Sequence, residues 1–109
     1  MTIEVREPTF VVLAALAGGR KHGYGIIREV ERLSDGSTKL RAGTLYAMLD
    51  RLSQDGLIEV AGEEVVDGRL RRYYVLTTRG STTLAEASRR RMAVSKEALR
   101  RLRLAGGPA

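Results

Sequence analysis

In the stretch Arg41-Ala42-Gly43-Thr44-Leu45-Tyr46-Ala47-Met48-Leu49-Asp50-Arg51-Leu52-Ser53-Gln54-Asp55-Gly56, followed directly by Leu57-Ile58-Glu59-Val60, the hydrophobic period changes from helical to extended. Leu45, Met48, Leu49 and Leu52 recur at steps of three and four, which predicts one apolar stripe on a helix. Thr44, Ala47, Arg51 and Gln54 lie away from that stripe. Gly56 is placed to cap the helix C-terminus. Residues 57–60 and 70–76 are short runs of strand formers. Asp67-Gly68, in the connection between them, is a hairpin turn signal. Two such strands are marginal alone and need a body to pack on.

Upstream, Thr9 to Ala17 is apolar nearly all round, which predicts a buried helix opened by Pro8 and closed by Gly18-Gly19. A short basic loop, Arg20-Lys21-His22-Gly23, leads into an amphipathic helix. Its Ile26, Ile27, Val30 and Leu33 share one side, and Arg28, Glu29, Glu31 and Arg32 share the other. The turn residues Ser34-Asp35-Gly36-Ser37 end it.

Downstream, Thr77 or Thr78 can cap a last helix that runs to about Leu104 and leaves residues 105–109 as a frayed tail. Ala85, Ser88, Met92, Ser95, Leu99 and Leu102 follow alternating three- and four-residue steps, a narrow seam suited to a partner helix. The opposite face is rich in arginine. A helix so polar has little to bury in one small domain, so these six residues are the expected dimer interface. Arg89-Arg90-Arg91 and Arg100-Arg101 flank the seam and read as a solvated face that raises the overall field.

Composition narrows the chemistry. The chain has 109 residues, no cysteine, no tryptophan and one histidine. That excludes disulfides, thiolate nucleophiles and cysteine or histidine metal clusters, and it leaves no catalytic triple. No enzymatic activity, metal or cofactor is expected. No apolar run approaches the roughly 18 residues of a membrane span, and the N-terminus lacks a signal-type core, so a cytoplasmic location is the expectation. The net charge of +6 suggests a polyanionic partner, although residues 81–109, with seven basic and two acidic side chains, carry most of the excess.

Three helices, a hairpin and a long helix make a mainly α chain with a small β-hairpin, the winged helix-turn-helix order. Residues 1–77 are the expected DNA-binding domain, and residues 78–109 the dimerisation helix and tail. In this arrangement the third helix fits a major groove and the hairpin reaches the flanking backbone. Lys39, Arg41, Thr44, Tyr46 and Arg51 lie on or just before that helix, and Arg69 and Arg71 lie on the wing. These seven are the candidate DNA contacts. Tyr46, next to the core Leu45, is expected to lay its ring on the domain while its hydroxyl meets a phosphate. Tyr74 and Leu76 are expected in the core, with Tyr73 on the other face. His22 is expected to pack or hydrogen-bond at a helix start. Gly23 and Gly25 lack the lysine and hydroxyl residue of a phosphate loop.

The chain resembles the PadR family of bacterial transcriptional regulators. Three strings carry the resemblance. They are His22-Gly23-Tyr24-Gly25-Ile26; Gly43-Thr44-Leu45-Tyr46 with Leu49, Arg51, Leu52 and Gly56-Leu57-Ile58; and Arg72-Tyr73-Tyr74-Val75-Leu76-Thr77 with Gly80. Two positions depart from the family pattern. Ala47 stands where proline is common, and Arg41-Ala42 stands where a small polar residue often caps the helix. An arginine opposes the helix dipole there, so Arg41 is expected to serve a phosphate outside the protein. The resemblance implies a homodimer on double-stranded DNA at an inverted-repeat operator, a repressor role, and a small-molecule effector near the dimer interface. The single C-terminal helix is similar to that of the family's smaller subgroup. The competing reading is a winged-helix module that binds a protein and no DNA.

Overall fold

The computed structural model describes residues 5–106. Its elements are α1 (Glu7–Ala17), β1 (Lys21–His22), α2 (Gly23–Leu33), α3 (Ala42–Gln54), β2 (Ile58–Val66), β3 (Arg69–Leu76) and α4 (Thr78–Leu104). The fold is mainly α with a small antiparallel sheet.

The core forms where α1, α2 and α3 meet the root of the sheet. Val12, Leu13, Ile26, Val30, Leu45 and Leu49 are fully buried, and Leu57, Ile58 and Tyr74 close the layer beneath them. α1 is central because it is apolar on every side, and Val11, Val12, Leu13, Ala15 and Leu16 are all buried. α2 and α3 each bury one stripe and leave the rest to solvent.

The stops are chemical. After α3, the Gly56 N–H donates to Ser53 O at 3.1 Å and the Leu57 N–H to Leu52 O at 3.0 Å, with Gly56 at φ 75°. That is a Schellman ending, and it presses buried Leu57 against buried Leu52. α2 ends in the same way, with Asp35 at φ 53° and the Gly36 N–H on Glu31 O at 2.8 Å. The hairpin turns on Asp67 (φ 52°) and Gly68 (φ 75°), the two left-handed residues of a two-residue loop whose twist matches the strands.

Three features differ from the sequence expectation. The segment expected as a basic loop holds β1, which pairs antiparallel with β3 at Lys21↔Tyr74 and His22↔Tyr73, so the sheet has three strands in the order β1-β3-β2. β2 runs on past Val60 to Val66, across an irregularity between Val60 and Gly62. α1 and α2 begin slightly earlier than expected, at Glu7 and Gly23. Tyr74 is buried and Leu76 packs against the core, as alternation along the strand requires.

α4 is 27 residues long, about 40 Å of helix. Thr77 starts it: its hydroxyl accepts from the Gly80 N–H at 3.0 Å and donates to Gly56 O at 2.6 Å. Gly80, Thr83 and Ala87 are its buried residues, so only the first third docks on the body. Arg91 makes the last contact. Its guanidinium lies 4.1 Å from the Phe10 ring centroid and donates to Val5 O at 2.8 Å, with Glu7 at 3.7 Å. Arg91 is therefore tied to α1 and is not part of the solvated face read from the sequence. Residues 92–104 extend beyond it. Of the expected tail, Ala105 and Gly106 close the helix and residues 107–109 lie outside the described residues.

Candidate nucleic-acid interface

The placement of α3 follows from its sequence. Leu45, Leu49 and Leu52 are consumed by the core. At 100° per residue, the ridge opposite them is Gly43, Ala47, Asp50 and Gln54, all exposed. The candidate contacts flank this ridge on two sides.

Thr44 and Arg51 lie on the side nearest the start of α1. With Arg6 and Thr9 they line an open cleft of about 570 Å³ floored by Met48, Leu52 and Leu57. Tyr46 lies on the other side, toward α2 and the wing, and is 47% exposed. Its hydroxyl sits directly over Gly23, where an added Cβ would lie 2.5 Å from it. A side chain at position 23 would therefore push the Tyr46 hydroxyl aside.

Tyr46, His22 and Tyr24 share a second groove, of about 340 Å³, with Arg69 and Arg71 of the wing. Residues 69, 71 and 73 alternate to one face of β3, and Arg72 and Tyr74 to the other. Arg72 is held by Glu63 at 3.1 Å. Among the described residues, Arg41, Arg51, Arg69 and Arg71 make no ion pair. Lys39 stands 4.0 Å from Glu31, with both side chains largely exposed. Arg41 is the N-cap residue of α3 and makes no side-chain capping bond.

His22 links these pieces. Its Nδ1 accepts from the Gly25 N–H at 3.3 Å, capping α2, and its ring meets Tyr73 edge-on at 5.5 Å. Desolvation by burial holds its pKa below the ordinary 6.5, and the positive charges of Arg71 and Arg28 act the same way against an opposing pull from Glu64. The Arg20 guanidinium stacks 4.7 Å from the other partner, Tyr73. The hydrogen bond to Glu64 is the main reason the Tyr73 phenol titrates above its ordinary value.

The structure thus gathers Tyr46, Arg69 and Arg71 around one groove and Thr44 with Arg51 around another, with Lys39 and Arg41 leading into α3. Sequence reading missed Arg6 and Tyr24 as lining residues of these grooves and Arg20 as the cation over Tyr73. Only the string Arg20-Lys21-His22-Gly23-Tyr24 carried a signal for the latter two. Along α4, Ala85 and Ser88 are half-buried beside an apolar groove of about 480 Å³ formed with Leu16, Val75, Leu76 and Leu84. Further out, Met92, Leu99 and Leu102 are 71%, 48% and 47% exposed, and Ser95 is exposed between them. Among the described residues, no group of three His, Asp or Glu is placed to hold a metal, and no helix is long and apolar enough to cross a membrane.

Comparison with known proteins places this architecture. Residues 12–86 match the model of the transcriptional regulator PadR-like family. The chain belongs to the PadR-like family. A Mycobacterium tuberculosis transcriptional regulator is 36% identical over 88 residues, covering 81% of this chain and 78% of that protein. Among solved structures, a PadR-like regulator from Bacillus cereus superposes with a TM-score of 0.70 at 22% identity, over 85% of this chain and 88% of that one. Bacillus subtilis PadR, solved in complex with operator DNA, superposes with a TM-score of 0.63 at 20% identity, over 71% of this chain and 44% of that one. At these identities the structural likeness speaks to the fold. Membership of the PadR-like family rests on the family match over residues 12–86, and the mycobacterial relative is itself a transcriptional regulator.

Proposed function

We propose that this PadR-like regulator binds double-stranded DNA as a homodimer at an inverted-repeat operator and represses transcription until an effector releases it. The observation that carries the reading is the outward display of α3, whose apolar stripe is spent on the core while its opposite ridge stays open between two arginine-bearing grooves. α3 enters the major groove. Arg41 and Lys39 meet phosphate at its start, Thr44, Tyr46 and Arg51 flank it, and Arg69 and Arg71 reach the neighbouring backbone from the wing. The Bacillus subtilis neighbour captured on operator DNA supports this use of the fold.

Dimerisation uses the seam on α4. Ala85, Ser88, Met92, Ser95, Leu99 and Leu102 drift by only about 20° per heptad, so a slight left-handed supercoil keeps them facing a partner helix. Two-fold pairing sets two copies of α3 at a fixed separation. An effector acts by favouring a dimer with a different separation, in proportion to its differential affinity for the two forms.

The test is retention of genomic DNA fragments across a salt series. Contact with several phosphates makes log affinity fall with log salt at a slope near −0.9 per phosphate. A slope of roughly −4 or steeper is expected, reduced by about one unit in each of Arg41→Ala and Arg69→Ala. A flat profile, or no retention at low salt, would overturn the reading and favour a protein-binding module.

A further inference from the structure

We infer that the outward ridge of α3 reads an A·T pair through the thymine methyl at Ala47 and, one or two pairs away, a G·C pair through the cytosine amino group at Asp50. This rests on the DNA-binding function proposed above and specifies which operators it admits.

Gly43 gives the first indication. It lies in the first turn of α3, where glycine is a poorer helix former than alanine. An added Cβ there would meet nothing within 4 Å, and its φ is not in the left-handed region. Neither internal packing nor backbone geometry calls for a glycine. What a missing side chain provides at an open position is close approach of the backbone to an outside body.

Ala47 is one turn further along the same ridge and also exposed. Glycine and alanine together leave the front of α3 nearly free of side-chain bulk, so the helix can sit deep in a major groove. At that depth Ala47 offers a single methyl group. The complementary apolar feature of the groove floor is the 5-methyl of thymine.

Asp50 completes the ridge. Its side chain is exposed and makes no ion pair among the described residues. On a face laid against DNA, a carboxylate is repelled by nearby phosphates, and a hydrogen bond accepted from a base amino group offsets that repulsion. The major-groove donors are the amino groups of cytosine and adenine, and carboxylates pair with cytosine. Ala47 and Asp50 are separated by three residues, about 4.5 Å along the helix, against a base-pair rise of about 3.4 Å. The two readings therefore fall within one or two pairs of each other.

The experiment begins with sites enriched by the intact protein from a random duplex pool. Thymine is then replaced by uracil at each position in turn, which removes one methyl and changes nothing else. One position is expected to lose about fourfold in affinity. That loss should vanish in Ala47→Gly, whose folding is checked by thermal unfolding. Asp50→Ala is expected to bind unselected DNA more tightly and to lose about tenfold discrimination at a cytosine one or two pairs away. Gly43→Ala should raise the melting temperature while weakening the enriched site. Enrichment of a site that tolerates uracil at every thymine, or that Asp50→Ala reads unchanged, would overturn the inference and leave DNA binding intact. No enrichment and no salt-dependent retention would overturn both.

Discussion

Two residues show how tightly local chemistry is specified. Gly80 lies where α4 crosses the exit of α3, and a Cβ there would stand 1.9 Å from the Leu57 carbonyl oxygen. That atom is backbone, and it already accepts the Thr77 N–H at 3.1 Å. Gly80→Ala is therefore expected to destabilise the fold by about 3 kcal/mol, read as a lower urea midpoint. His22 works through its unprotonated Nδ1, which caps α2. Burial, Arg71 and Arg28 lower its pKa in the folded chain, so the unfolded chain binds the proton more readily. The associated stability is complete above the ordinary value of 6.5 and is lost as pH falls through the folded value. Thermal unfolding between pH 8 and pH 5 should show this decline, and His22→Gln should flatten it. An identical decline in His22→Gln would assign it to other groups. The role of His22 at a helix start was legible from its place between a basic loop and Gly23, whereas Tyr46 resting on Gly23 was not. That contact depends on how α3 crosses α2, which no local pattern encodes.

Among the elements, α3 and the wing carry the proposed function, and their legibility differs. The α3 stripe and its glycine stop were plain because four large apolar residues at helical spacing have one way to be buried. β1 escaped notice because two residues carry no periodicity, and its pairing with β3 is a tertiary event. The extension of β2 was hidden by Gly62-Glu63-Glu64, which read as a loop. In the fold these residues sit on a protruding ribbon with solvent on both sides, where alternation has little to report. Arg41 at the start of α3 is the element's weak point, since it opposes the dipole and caps nothing. Arg41→Ser is expected to leave thermal stability unchanged or raise it by about 1 kcal/mol, and to weaken operator binding several-fold. Equal DNA affinity in the two proteins, measured by anisotropy, would remove Arg41 from the interface.

At the scale of the molecule, α4 is the element on which the proposed assembly depends. Its first third is part of the body through Gly80, Thr83 and Ala87, and Arg91 fastens its middle to Phe10 and Glu7 of α1 and to Val5 O just before it. The remaining turns expose Met92, Leu99 and Leu102 among charged neighbours, of which Arg100 and Arg101 share Glu97. The exposure of Met92, Leu99 and Leu102 was legible because their regular spacing leaves them nothing to bury against within one small domain. The docking of Arg91 was not, because an arginine run on a polar helix gives no sign of which member turns inward. Paired substitution Leu99→Asp with Leu102→Asp should yield the 12.0 kDa monomer in sedimentation, where the unmodified chain is expected to sediment at twice that mass. The monomer should keep its melting behaviour within a few degrees and bind DNA at least tenfold more weakly, because two copies of α3 no longer engage together.

The proposal that α3 is presented outward on a two-fold scaffold is tested most directly by selecting bound fragments from a random duplex pool and reading their symmetry. The expected outcome is an inverted repeat whose half-sites are centred about one helical turn, 10 to 10.5 base pairs, or a whole multiple of it apart. Enrichment of a single asymmetric site, or of nothing above background, would contradict it.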